Sequence, residues 1–195
     1  MYQKIIEKQS AVGLKDDIRP QRLWKLIVAG NLENAKLIFE KVLRKNSEIS
    51  LQSGEFFDSS TSSNSSQDQM NTSIEKPLNK FGWTALHAAC FYGQIAIVQY
   101  LVEQLNADVN NTNQNGWNSL IFAIFGGHLD VIDYLLYETP IRLDLLDKQN
   151  MDALTISKEI DDQEVVDLIQ EKLERSCDSY HNLSYESLLK SLEEY

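Results

Sequence analysis

Apolar side chains recur along this chain at the three- and four-residue spacing of a helix face, with short polar or glycine-containing breaks between the runs. Ile97, Val98 and Leu101 form one stripe, and Val131, Ile132 and Leu135 form another. A denser apolar run precedes each stripe. The pattern predicts two antiparallel helix pairs, 84–92 with 95–104 and 119–125 with 129–137. Thr84 and Asn118 stand at the two starts, where a side-chain oxygen can accept from an orphan backbone N–H. The pairs are copies of one unit: Gly82-Trp83-Thr84-Ala85-Leu86-His87-Ala88-Ala89 and Gly116-Trp117-Asn118-Ser119-Leu120-Ile121-Phe122-Ala123 lie 34 residues apart. The same offset carries Gly93 onto Gly127, Val98 onto Ile132 and Leu101 onto Leu135 without a gap.

A third copy follows at that offset, with Asn150, Leu154, Val166 and Ile169 in place and Asp152 as its helix cap. Asn150 and Asp161 replace turn glycines of the earlier copies, and both tolerate left-handed backbone better than most residues. A degenerate first copy comes earlier. Its Leu23, Gly30, Ala35 and Ile38 match Leu86, Gly93, Val98 and Leu101 at an offset of 63, one repeat plus 29 inserted residues. Pro20 suits a helix start there, since its missing N–H would be an orphan anyway. Self-similarity of this length marks a solenoid, whose units bury their apolar faces on one another.

The residues also carry a family signature. Gly82-x-Thr84-Ala85-Leu86-His87-x-Ala89, then Gly93, Val98-x-x-Leu101 and Ala107-Asp108-Val109-Asn110, resembles the ankyrin repeat, with alanine where that family usually has proline. Leu105-Asn106-Ala107 holds one residue more than the family's usual connection. The fold expected is all-α, a short ankyrin-repeat solenoid of about four helix-turn-helix repeats with a disordered Ser-rich insertion.

This reading divides the chain into an extension, 1–19, a repeat domain, 20–175, and an acidic helix, 176–195. Within the domain fall an N-terminal cap, 20–45, the insertion, 46–78, full repeats at 79–112 and 113–146, and a C-terminal cap, 147–175. The insertion's centre, from Asp58 to Asp68, has no apolar residue with which to offset the entropy of ordering. Ser65 and Thr72 precede Asp68 and Glu75 by three, a spacing that resembles acidophilic kinase sites. In the tail, Tyr185, Leu188, Leu189 and Leu192 fall at helical spacing, an apolar side that either packs on the cap repeat, the preferred reading, or is presented to a partner.

The net charge of −11 is unevenly spread. Residues 1–50 carry ten Lys/Arg against six Asp/Glu, residues 51–146 three against ten, and residues 147–195 five against thirteen. Such a body does not invite nucleic acid or anionic lipid. No apolar run approaches the roughly 18 residues of a membrane span. Cys90 and Cys177 are far apart, with Cys90 at a position expected to be buried, so a reducing cytoplasmic or nuclear compartment is expected. A monomer is expected as well.

No group of residues suggests catalysis. His87 and Cys90 sit one helical turn apart, but two ligands do not close a zinc site, and no cofactor or metal is expected. The resemblance gives His87 a role in hydrogen bonding between repeats. It also implies a protein or peptide partner on the concave side, formed by the turns before each inner helix and that helix's exposed edge. Carried onto this sequence, the surface takes in Lys80, Phe81, Trp83, Phe91 and Tyr92, then Gln114, Asn115, Trp117 and Phe125, then Met151. Lys148, Gln149, Glu159 and Ile160 extend it into the cap.

The expectation is therefore a non-enzymatic interaction module or adaptor. Its partner would carry Lys or Arg beside apolar anchors, to suit the acidic body. Two alternatives stand beside it. One is a regulatory or targeting subunit of an enzyme complex. The other is a substrate of asparagine hydroxylation, since Asp108-Val109-Asn110 resembles the ankyrin asparagine that dioxygenases modify.

Overall fold

The computed structural model describes residues 18–52 and 74–175. Helices α1 (Ile18–Val28) and α2 (Leu32–Gln52) form the first pair. Helix α3 (Ala85–Phe91) is followed by α4 (Ile95–Gln99), whose last turn widens into a π-helical segment, Tyr100–Gln104. Helices α5 (Ser119–Gly126) and α6 (Leu129–Glu138) make the third pair, and α7 (Ala153–Ile160) and α8 (163–175) the fourth. No strand occurs among the described residues. Inner helices stack in a row, α1 on α3, α3 on α5 and α5 on α7, while α2, α4 and α6 pack outside their partners.

Each cap forms as its residue type dictates. Thr84 Oγ1 accepts the His87 N–H at 3.3 Å, Asn118 Oδ1 that of Ile121 at 3.1 Å, and Asp152 Oδ1 that of Thr155 at 2.7 Å. The substitutes for turn glycines also take the left-handed conformation, Asn150 at φ 58° and Asp161 at φ 63°. At Gly93 (φ 65°) a side chain would strike the His128 ring of the next repeat, so absence of Cβ is needed twice over. The extra connection residue is absorbed locally. Asn106 turns left-handed at φ 52°, and the Ala107 N–H reaches back to the Leu101 carbonyl at 2.9 Å across the widened turn.

Ile97, Val98, Leu101, Val131, Ile132 and Leu135 are all fully buried, as the stripes require. Within 46–78, the described residues at both ends belong to the folded body. Helix α2 runs on to Gln52, through a stretch free of Gly and Pro, and Ile74 and Leu78 bury their side chains in the core. Helix α1 starts at Ile18, which places Pro20 in its first turn, where no backbone donor is needed.

The two ends of the stack are polar for a visible reason. Arg22, Lys25, Glu33 and Glu40 are exposed on the first pair. In the last pair, exposed Thr155, Lys158 and Glu159 occupy the places of Ile121, Ile124 and Phe125. Leu154 is only half-buried where Leu86 and Leu120 are fully enclosed, because no further repeat among the described residues covers it.

Candidate interaction face

The turn leading into each inner helix, called a finger here, is built around one side-chain oxygen. Asn79 Oδ1 accepts the N–H groups of Phe81 and Trp83 at 3.0 and 3.1 Å. Asn113 Oδ1 does the same for Asn115 and Trp117 at 2.8 and 3.1 Å, and Asp147 Oδ1 for Gln149 and Met151 at 2.8 and 3.0 Å. Asn and Asp favour this because their short side chains mimic a backbone carbonyl. Fingers are joined tip to tip: the Gln114 N–H donates to the Phe81 carbonyl at 3.2 Å, and the Lys148 N–H to that of Asn115 at 2.9 Å. These bonds set Lys80 and Phe81, Gln114 and Asn115, and Lys148 and Gln149 in a row. Lys80, Gln114, Lys148 and Gln149 are exposed, while Phe81, Asn115 and Met151 are half-buried. The Lys80 Nζ rests 5.3 Å from the Phe81 ring centre.

Trp83 and Trp117 do not stand on this face. Both are fully buried, which overturns their assignment as partner-binding residues. Phe122 of the third pair inserts between them, 4.4 Å from the Trp83 ring and 6.0 Å from that of Trp117. Trp117 also donates its Nε1–H to Asp147 Oδ2 at 3.2 Å, satisfying the polar end of a buried indole. The tryptophan after the turn glycine is an inter-repeat wedge.

The aromatic surface that remains is narrower and begins earlier. Phe91, Tyr92 and Phe125 are half-buried on the edges of α3 and α5, and Trp24 of α1 is half-buried beside them. Trp24 lies 6.0 Å from Tyr92 and 5.5 Å from Trp83, Phe91 lies 5.1 Å from Tyr92, and Phe125 packs on Trp117 at 4.9 Å. Trp24 is absent from the sequence-based set. The offset of 63 that aligns Leu23 with Leu86 places it opposite His87, which was the available signal. At the cap, Glu159 is exposed and Ile160 half-buried.

Asn110 joins successive connections. Its Nδ2 donates to the Pro140 carbonyl at 3.0 Å and its Oδ1 accepts from the Arg142 N–H at 2.8 Å. Ser65 and Thr72 lie outside the described residues, as does the acidic tail.

His87 is wholly enclosed and its tautomer follows from its partners. Nδ1 accepts from the Thr84 N–H at 3.1 Å, so Nε2 carries the proton it shares with the Asn111 carbonyl at 2.9 Å. Burial disfavours the imidazolium and lowers the pKa to about 4, outweighing the backbone contacts that favour it. Burial likewise raises the pKa of the Cys90 thiol, which leaves it protonated. Tyr134 donates to Glu103 Oε1 at 3.1 Å, and burial followed by that carboxylate pushes its phenol up to about 12.

A family model described as ankyrin repeats, in three copies, matches residues 61–147. No curated protein matches the chain. Among solved structures, a chain from the crystal structure of the yeast ribosomal protein Rps3 in complex with its chaperone Yar1 superposes with a TM-score of 0.59 at 23% identity. The match covers 82% of this chain and 95% of that one, and at such identity it speaks for the fold alone. The family model stops short of the polar first and last pairs, where the signature is degenerate but the stacking and left-handed turns continue. With the match, the capping geometry and the solenoid in agreement, this chain contains ankyrin repeats, matched over residues 61–147.

Proposed function

We propose that this chain is a non-enzymatic protein-binding module, an adaptor or escort that takes a segment of a partner across Trp24, Phe91, Tyr92 and Phe125, with the finger tips as the second wall. One observation carries the reading: half-buried Trp24 of α1 lies next to Tyr92 of α3, Tyr92 lies next to Phe91, and half-buried Phe125 holds the Phe91 position one repeat on. Half-buried aromatic rings give large contact area at small entropic cost, which suits binding anchors. The similar solved chain comes from a complex between a ribosomal protein and its chaperone, which supports a protein partner by analogy of fold. The module acts as a single copy in a reducing compartment, cytoplasmic or nuclear.

The test is affinity purification with mass spectrometry from cells carrying the wild-type chain or Tyr92→Ala/Phe125→Ala. The double variant should stay folded by circular dichroism and lose the main partner. A folded double variant that keeps it would move the site off this strip.

A further inference from the structure

The net charge of the chain hides a division between the two sides of the solenoid. From residue 79 onward, the finger tips and inner helices (79–92, 113–126 and 147–160) expose Lys80, Lys148 and Lys158 and a single carboxylate, Glu159. The other two carboxylates there are committed, Asp147 inside its finger and Asp152 capping α7. Outer helices are the reverse. Residues 95–104, 129–138 and 163–175 expose eight carboxylates, three on α6 and four on α8 among them, against exposed Arg175 and half-buried Lys172.

Lys80, Gln114 and Lys148 share one repeat position, and the tip-to-tip backbone bonds hold them in line, the row taken above as the second wall of the site. In about 0.15 M salt, charges fade over roughly 8 Å. Inner and outer helix axes are themselves about 8–10 Å apart, so the outer carboxylates are largely screened at the tips. A bound segment therefore meets the local lysines before it meets the acidic body.

We infer that the segment taken by this site is apolar and acidic, with Asp or Glu where it crosses the finger tips at Lys80 and Lys148. This is the opposite sign from the one that the net charge suggests, and it rests on the aromatic strip being the binding site. Gln114 between the lysines supplies neutral hydrogen bonding to the same stretch, and Glu159 rejects a carboxylate at the cap end of the strip.

The probe is a random peptide library displayed on phage, panned on the full chain, with enriched peptides remade with a fluorescent label and titrated by anisotropy in about 0.15 M NaCl. Enriched peptides should combine Leu, Phe or Trp with Asp or Glu. Their affinity should fall at least about ten-fold on Lys80→Glu/Lys148→Glu, whose exposed positions leave the melting curve unchanged. Enrichment of Lys/Arg-rich or uncharged peptides that still weaken on Tyr92→Ala would overturn this inference and leave the strip in place. Acidic peptides that bind Tyr92→Ala as well as wild type would remove the strip and the inference together. A library that yields no enrichment would also overturn it.

Discussion

Trp117 and Asp147 are bonded across a repeat boundary. The Nε1–H of the indole donates to Oδ2 of the carboxylate, whose Oδ1 accepts the two N–H groups that close its own finger. One repeat earlier Asn113 holds the same place, and its Oδ1 makes the two finger bonds while its Nδ2 is buried without a partner. Asp147→Asn sets an amide against the indole and should lower stability by about 2 kcal/mol, the usual worth of a hydrogen bond to a charged acceptor. Asn113→Asp exchanges the stranded donor for an acceptor at the cost of burying a charge, two effects that oppose each other, and should lose less than Asp147→Asn. Urea midpoints at pH 7 check both, and equal losses in the two variants would refute the asymmetry.

His87 makes stability depend on pH. Its folded-state pKa lies below the unfolded value, so between about 6.5 and 4 the unfolded chain binds the extra proton. Its contribution is complete above that window and is lost as pH falls through it, by about 3 kcal/mol at most. Urea midpoints measured across the window should slope less steeply in His87→Gln than in the wild type. Parallel slopes would place the acid sensitivity in the carboxylates instead.

Leucines at one repeat position should not cost the same. Leu120→Ala should destabilise by about 2–5 kcal/mol because the side chain is enclosed on all sides. Leu154→Ala should cost about 1–2 kcal/mol, since half-burial leaves less transfer energy to lose. Equal losses in chemical denaturation would mean that something covers the last repeat.

Trp83→Ala should unfold much of the stack, with a loss of about 3–5 kcal/mol, and so cannot serve as a binding variant. Tyr92→Ala should cost about 1 kcal/mol and leave the melt cooperative. A thermal melt of each separates the two roles, and a Trp83→Ala protein as stable as wild type would return that indole to the surface.

Repeat length, caps and left-handed turns were legible because each depends on local chemistry. Thr84, Asn118 and Asp152 cap whichever helix follows them, and Asn150 and Asp161 bend the backbone by themselves. Whether an aromatic ring faces solvent was not legible, because that is settled by a residue 34 or more positions away. Phe122 closes over Trp83, and nothing near Trp83 announces it. The finger oxygens of Asn79, Asn113 and Asp147 were available at the same 34-residue spacing but lie outside the signature, which begins at the glycine. Placement of charge was lost in the sum, since a net value does not distinguish the helix layers.

The chain of rings has an optical consequence. Trp24 and Trp83 belong to different repeats, their ring centres are 5.5 Å apart, and their planes are tilted by 46°. Two indoles so close and so inclined share their electronic excitation, which gives paired bands of opposite sign in the ultraviolet circular dichroism spectrum. Those bands exist only while the first repeat lies on the second. They would report the detachment of α1 and α2 separately from the melting of the remaining helices, in the unlabelled wild-type protein.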